Sequence, residues 1–217
     1  IWLHAALEVP ALHGRVDVVE ALHGERVVGL AAMIEGLFPF RLTAVDGALP
    51  GVVEELLLRV PGPYVCPAPA RIATQVARAG GREIRSELAM VRLVSAVALP
   101  VQRERVETLR DADELLRFFG ASFALLELGP FFGIRNAAGE LVAATGVRFA
   151  TERVALLAHL ETREDCRRQG YARALASEAV RALESPERRV VLHLKGGEQA
   201  ARSLFASLGF RGTHEFR

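Results

Sequence analysis

Six consecutive residues, Arg167-Arg168-Gln169-Gly170-Tyr171-Ala172, have the types and spacing to hold an anion. Gly170 lets the chain turn tightly and bring its backbone close to a ligand. A helix starting there points its first N–H groups, which have no partner inside the helix, at whatever sits in the loop. Phosphate is the guest that such a loop suits. Groups able to accept a proton lie nearby. His159 and Glu161 stand two apart in an apolar run, which strand alternation puts on one face, opposite Ala158, Leu160 and Thr162. His193 sits in the next apolar run. Any of the three could take a proton from a nucleophile, and each taken singly also reads as an ordinary hydrogen-bonded or ion-paired residue. The histidines have neither a helical i,i+4 pair nor a Cys partner, so no zinc site is implied.

A strand, a loop and a helix must follow one another without a gap to position these groups. Val154 to Thr162 supplies the strand, and the helix after Gly170 buries Ala172, Leu175, Ala176, Ala179, Val180 and Leu183, spaced three and four apart as one face requires. Val190 to Leu194 reads as a strand and Ala201 to Leu208 as a helix. Gly209 suits a left-handed cap that leaves Phe210 free to pack back on Phe205. Upstream, Val106 to Leu109 is a strand and Ala112 to Phe119 a helix capped by Asp111, with a second helix to follow. Phe131 to Arg135 and Leu141 to Phe149 form a hairpin across residues 136–140.

The first half begins with an apolar helical patch at Trp2, Leu3, Ala6 and Leu7. A hairpin of Val16–Leu22 and Val27–Met33 follows, then a strand over Phe38–Val45, a helix over Val52–Leu58 and a stop at Pro61-Gly62-Pro63. Tyr64 and Val65 start a short strand, Ala70 to Ala79 is a helix, and Glu83 to Leu99 is largely strand. The segment from Pro100 to Arg105, polar and opened by proline, is the linker. GERVVGLAAM from Gly24 resembles GELVAATGV from Gly139, each as the second arm of a hairpin. The first half has no counterpart of the Gly170 loop, and Pro50 withholds an N–H from the equivalent place.

Composition narrows the function classes. The chain has 217 residues, 51% of them hydrophobic, enough for one large core or two small ones. Basic and acidic residues number 27 and 26, with no charged block, which speaks against nucleic acid or a membrane surface as partner. The single lysine, Lys195, among many arginines reads as coding bias. Cys66 and Cys166, far apart, make neither a disulfide framework nor a metal motif, as expected for a reducing cytoplasm. No apolar run is long enough for a membrane span, and no signal peptide is evident.

The loop resembles the R/Q-x-x-G-x-G/A pattern of the GNAT N-acetyltransferases, and Thr162 to Arg167 resembles the T-x-P-x-Y-R approach of one branch, with Glu164 and Cys166 at the Pro and Tyr places. EQAARSLFASLGF, from Glu198 to Phe210, is similar to the family's N-x-x-A-x-x-L-Y-x-x-L-G-F helix. It matches at Ala201, Leu204, Leu208, Gly209 and Phe210 and departs at Glu198 and Phe205. Two blocks in order are far more specific than one glycine loop. The resemblance covers residues 103–217.

It implies an α/β (α+β) protein with a GNAT-type mixed, mainly antiparallel sheet flanked by helices. Residues 1–100 would form a smaller, degenerate GNAT-like domain, and residues 101–217 the acetyl-CoA-binding catalytic domain. It implies that Arg167, Arg168, Gln169, Gly170, Tyr171 and Ala172 cradle the pyrophosphate of acetyl-CoA. The backbone of Leu160, Glu161 and Thr162 would hold the pantetheine arm, with Phe205 near the sulfur. An amine then attacks the thioester directly, helped by a base drawn from His159, Glu161 and His193, the last on a strand that splays away to admit the cosubstrate. No metal is needed. The family's Tyr, replaced by Phe205, is credited with protonating the departing thiolate. Because a thiol of pKa about 8.5 leaves as thiolate at pH 7 for only about 2 kcal/mol, catalysis survives its loss. A non-catalytic acyl-CoA sensor or scaffold is the alternative. The partner is a small-molecule or peptide amine, with neither nucleic acid nor membrane involved, and a homodimer is compatible with the family. Phe118, Phe119, Phe123, Phe131 and Phe132 form either an apolar acceptor pocket or plain core. Cys166, among arginines, is either a thiol of lowered pKa or a small hydrophobe.

Overall fold

A computed structural model describes residues 8–10, 13–35, 41–47, 49–62, 64–82, 87–92, 99, 106–120 and 129–216. The expected helical patch at Trp2–Leu7, the start of the third strand at Phe38, much of the strand expected over Glu83–Leu99, the linker 100–105, Phe123 and the stretch between Phe119 and Phe131 expected to hold a second helix lie largely outside these residues. The chain divides into two compact units, residues 1–88 with 214–217, and residues 89–213.

In the first unit β1 (Val16–His23) and β2 (Arg26–Ile34) pair antiparallel, and β3 (Arg41–Gly47) pairs antiparallel with β2. Helix α1 (Val52–Arg59) then carries the chain to β4 (Tyr64–Val65), parallel to β3, and α2 (Ala70–Arg78) follows. The apolar faces of α1 and α2 meet the inward residues of the sheet in one core of Ala31, Met33, Val45, Leu56, Leu57 and Ile72.

The same order recurs in the second unit. β7 (Phe131–Arg135), β8 (Leu141–Ala150) and β9 (Val154–Thr162) form an antiparallel set. Helix α4 (Tyr171–Leu183) crosses to β10 (Arg189–Lys195), parallel to β9, and α5 (Gln199–Ser207) leads to β11 (Phe210–Phe216). β5 (Glu87–Arg92), β6 (Glu107–Leu109) and α3 (Ala112–Phe119) complete it, with strand order β11-β5-β10-β9-β8-β7-β6. The sheet is therefore mixed and mainly antiparallel. The strand read as closing the first half belongs to this sheet.

Local chemistry accounts for the elements. The Asp111 carboxylate accepts from Glu114 N–H at 3.0 Å and caps α3. Asn136 Oδ1 accepts from Ala138 and Glu140 N–H and closes the β7–β8 turn. Gly209, at φ 88°, ends α5 in the left-handed conformation, and Phe210 lies edge-on to Phe205 with ring centroids 5.3 Å apart. Buried Arg92 on β5 donates to Glu184 Oε1 at 3.0 Å and to the carbonyl of Leu208, the residues that cap α4 and α5. One guanidinium thus fastens the ends of both helices.

Candidate functional site

The site is built where β9 and β10 part. Their parallel ladder runs from Arg189 opposite Val154 to Leu192 opposite Leu157 and ends there, although β9 continues to Thr162 and β10 to Lys195. On its other edge β9 stays paired with β8, but with an extra residue. Ala158 lies opposite Gly146 and Glu161 opposite Ala144, so three steps on β9 match two on β8. His159, at φ 55°, takes up the extra residue in the left-handed region.

This bulge corrects the simple alternation expected here. Directly opposed residues share a face, so Ala158 and Glu161, paired with Gly146 and Ala144, lie on the same side rather than on opposite sides. That side carries the cluster of Leu109, Leu115, Phe119, Phe131 and Ala144. His159 reaches it through the bulge, its ring 5.5 Å from that of Phe119.

Beyond Thr162 a single 3-10 turn, Glu164–Cys166, leads into the glycine loop. Arg163, paired with Glu140 and Asp165, pins its start. Arg168 (φ 62°) and Gly170 (φ 84°) both adopt left-handed backbone, which bends the loop over the start of α4. The first hydrogen bond of α4 runs from Ala174 N–H to Gly170 C=O at 3.0 Å, leaving the N–H groups of Ala172 and Arg173 ahead of its ladder. The cap residue, Gly170, brings no side chain to this end, and among the described residues no acidic one stands in the first turn.

A pocket of about 260 Å³ opens here, bounded by Thr162, Cys166, the loop from Arg167, Ala172 and, from α5, Leu204. Thr162 Oγ1 is buried in its wall without a hydrogen-bond partner among the described residues. The helix dipole, the N–H groups and the exposed guanidiniums of Arg167 and Arg168 all favour a negative guest. Gly170 and Tyr171 line the pocket as well, whereas Gln169 is exposed and is not part of its wall. Phe205 is 3% exposed and packed on Phe210; the neighbouring Leu204 is the α5 side chain that meets the pocket.

The helix after β3 makes the contrast plain. Its N-cap, Gly51, has the same left-handed φ of 83°, yet Glu54 and Glu55 occupy its first turn, and Gln75 Oε1 accepts from Val53 N–H at 3.2 Å. An internal cap and two carboxylates close that end to anions.

The three proton acceptors occupy different environments. His159 Nε2 lies 2.8 Å from Arg148 Nη2, which donates, so the imidazole is neutral with its proton on Nδ1. Burial, and then the Arg148 charge, push its pKa down to about 4. Glu161 is exposed on the splayed arm of β9, and its carboxyl is raised by desolvation and lowered in part by the Lys195 charge. His193 is half-buried on β10, one residue past the last rung. The Cys166 thiol is raised, by desolvation first and then by Asp165, the direction opposite to that of a lowered-pKa thiol. Leu160 is half-buried between His159 and Glu161. Phe119, Phe131 and Phe132 are buried, and the first two belong to the α3 cluster, so they serve as core.

Residues 131–217 match the FR47-like protein family. Solved structures resemble nearly the whole chain at low identity. A GCN5-related N-acetyltransferase from Kribbella flavida superposes with a TM-score of 0.62 at 14% identity, over 92% of this chain and 88% of that one. A tandem GNAT protein from the clavulanic acid biosynthesis pathway gives 0.58 at 16%, over 93% and 81%. A functionally unknown conserved protein from Staphylococcus epidermidis gives 0.63 at 12%, over 92% of each. No protein of curated function matches the sequence.

Proposed function

Taking the chain as a protein of the GNAT fold, FR47-like over residues 131–217, we propose that it transfers an acetyl group from acetyl-CoA to an amine by direct attack. The observation that carries this is the conjunction of two features on consecutive elements. The ladder between β9 and β10 opens after Leu157 and Leu192, and the uncapped, acid-free N-terminus of α4 lies at the end of that opening.

Each part of the chain has a task in this reaction. Gly170, Ala172 and Arg173 supply backbone donors to the pyrophosphate, with Arg167 and Arg168 adding charge. Thr162 offers its buried hydroxyl, and the β9 backbone past the bulge runs alongside the acyl arm. The acceptor amine must be neutral when it attacks, so a base is useful. Glu161 fits best. Desolvation has raised its carboxyl toward the working range, and it stands on the open arm, whereas the His159 lone pair is taken by Arg148. Phe205 has no proton to give, so the thiolate leaves with water's help. The first unit, its helix end closed by Gln75, supplies support rather than a second acyl-CoA site. We place the protein in the cytoplasm.

Phe205 also favours a second reading, a sensor or scaffold that binds acyl-CoA without turnover. Release of free CoA, followed with a thiol reagent across a panel of small amines and peptides, separates the two. Acceptor-dependent release supports the transferase; saturable binding without release from any amine supports the sensor.

A further inference from the structure

We infer that Lys195 is a site of self-acetylation, an inference that rests on the acyl-donor reading above. The chain's 27 basic residues include this single lysine, and it falls on the wall of the opening where that reading places the acyl arm. Lys195 ends β10, three residues beyond the last rung at Leu192, or about 10 Å along the strand. Across the opening, Glu161 lies four residues beyond Leu157, one of them absorbed by the bulge at His159, so the two side chains start at the same height. They are close enough for the ammonium charge to act on the carboxyl. Lys195 is exposed, and its amine has neither a hydrogen bond nor a contact ion pair among the described residues. Its flexible four-carbon stem can swing the nitrogen into the opening.

The chemistry balances without a further reagent. The ammonium gives a proton to Glu161 or to water, and the freed nitrogen bonds to the acetyl carbonyl carbon as the carbon–sulfur bond breaks. Of the two protons that the ammonium loses in all, one ends on the CoA sulfur and the other in solvent. The product is an amide in place of the cation that faces Glu161. Holding the amine beside a bound thioester, rather than leaving it to meet one in solution, is what makes the reaction site-selective.

The test uses the full chain with acetyl-CoA and no acceptor, followed by intact mass and peptide mapping, with melting measured on the same samples. The expected result is a gain of one acetyl group on Lys195, lost in Lys195→Arg and slowed about tenfold or more in Gly170→Asp, whose donor site is spoiled. An unmodified Lys195 in protein whose melting acetyl-CoA does raise overturns the inference and leaves the acyl-donor reading standing. Equal modification of wild type and Gly170→Asp overturns it as well, because the acetylation is then chemical and owes nothing to the site. If acetyl-CoA neither raises melting nor acetylates Lys195, the acyl-donor reading fails and takes this inference with it.

Discussion

Gly170→Asp compared with Gly170→Asn isolates the charge at the loop. Gly170 sits at φ 84°, and a Cβ built there meets nothing within 4 Å, so either substitution costs only the left-handed backbone penalty. That penalty is roughly 1 kcal/mol, and Asn and Asp tolerate the conformation best among residues with side chains. Both variants therefore fold, with melting lowered alike by roughly 2–4 °C. They differ in what the new side chain presents to a phosphate. A carboxylate about 4 Å from one negative charge is repelled by about 1 kcal/mol at the dielectric of water and about 4 kcal/mol at that of a protein surface. Acetyl-CoA affinity should thus fall about 5-fold to 1000-fold further in Asp than in Asn. At 100 times the wild-type dissociation constant, ligand adds about 2.7 kcal/mol. The Asp variant keeps between almost nothing and about 1.8 kcal/mol of that. Differential scanning fluorimetry with and without acetyl-CoA, backed by calorimetric titration, reads both numbers. Equal affinities for Asp and Asn would refute the placement of the phosphates at α4.

Glu161→Gln should lower turnover by about 100-fold or more while leaving acetyl-CoA binding intact, and it should flatten the acid limb of the pH–rate profile. Because the Glu161 carboxyl is raised, that limb in the wild type should lie at a higher pH than an unshifted glutamate would give; a limb unchanged in Glu161→Gln would exclude the residue as base. His159, depressed to about 4, gives stability that is present above the unfolded-state pKa near 6.5 and lost as pH falls from there through 4. The loss is at most about 3 kcal/mol, and NMR should show its ring neutral at pH 6. Phe205→Tyr puts a hydroxyl at a site 3% exposed, beside Phe210, and should cost about 1–3 kcal/mol when unpaired; a stable variant that turns over no faster shows that proton delivery to sulfur is not limiting. Arg92→Met should destabilise by about 3 kcal/mol or more, because Glu184 and the Leu208 carbonyl lose their shared donor, and urea melts would expose a smaller effect.

Much of the second unit was legible because its signals are local. The β9 run, the Gly170 turn, the apolar face of α4 and the Gly209 cap each follow from residues within a few positions of one another. The bulge at His159 was not. Alternation looks unbroken through VALLAHLET, and only the register against β8, a partner strand more than ten residues away, reveals the extra residue. The same holds for Gln75, which closes α1 from 22 residues off, and for Arg92, which reaches Leu208 across 116. The reordering of the three proton acceptors depends on Arg148 beside His159 and Lys195 near Glu161, neighbours that no spacing rule in the sequence brings together. Phe205 likewise carried its family position but not its surroundings; burial against Phe210 leaves Leu204 at the pocket.

Calorimetric titration of the folded chain with acetyl-CoA decides whether the loop before α4 holds the acyl donor. One saturable site, weakened by raised salt as a phosphate cradle requires and weakened about 5-fold or more in Gly170→Asp, is the expected result. A folded wild-type protein that takes up no acetyl-CoA at millimolar concentration, or one that binds it with Gly170→Asp unimpaired, would contradict the account.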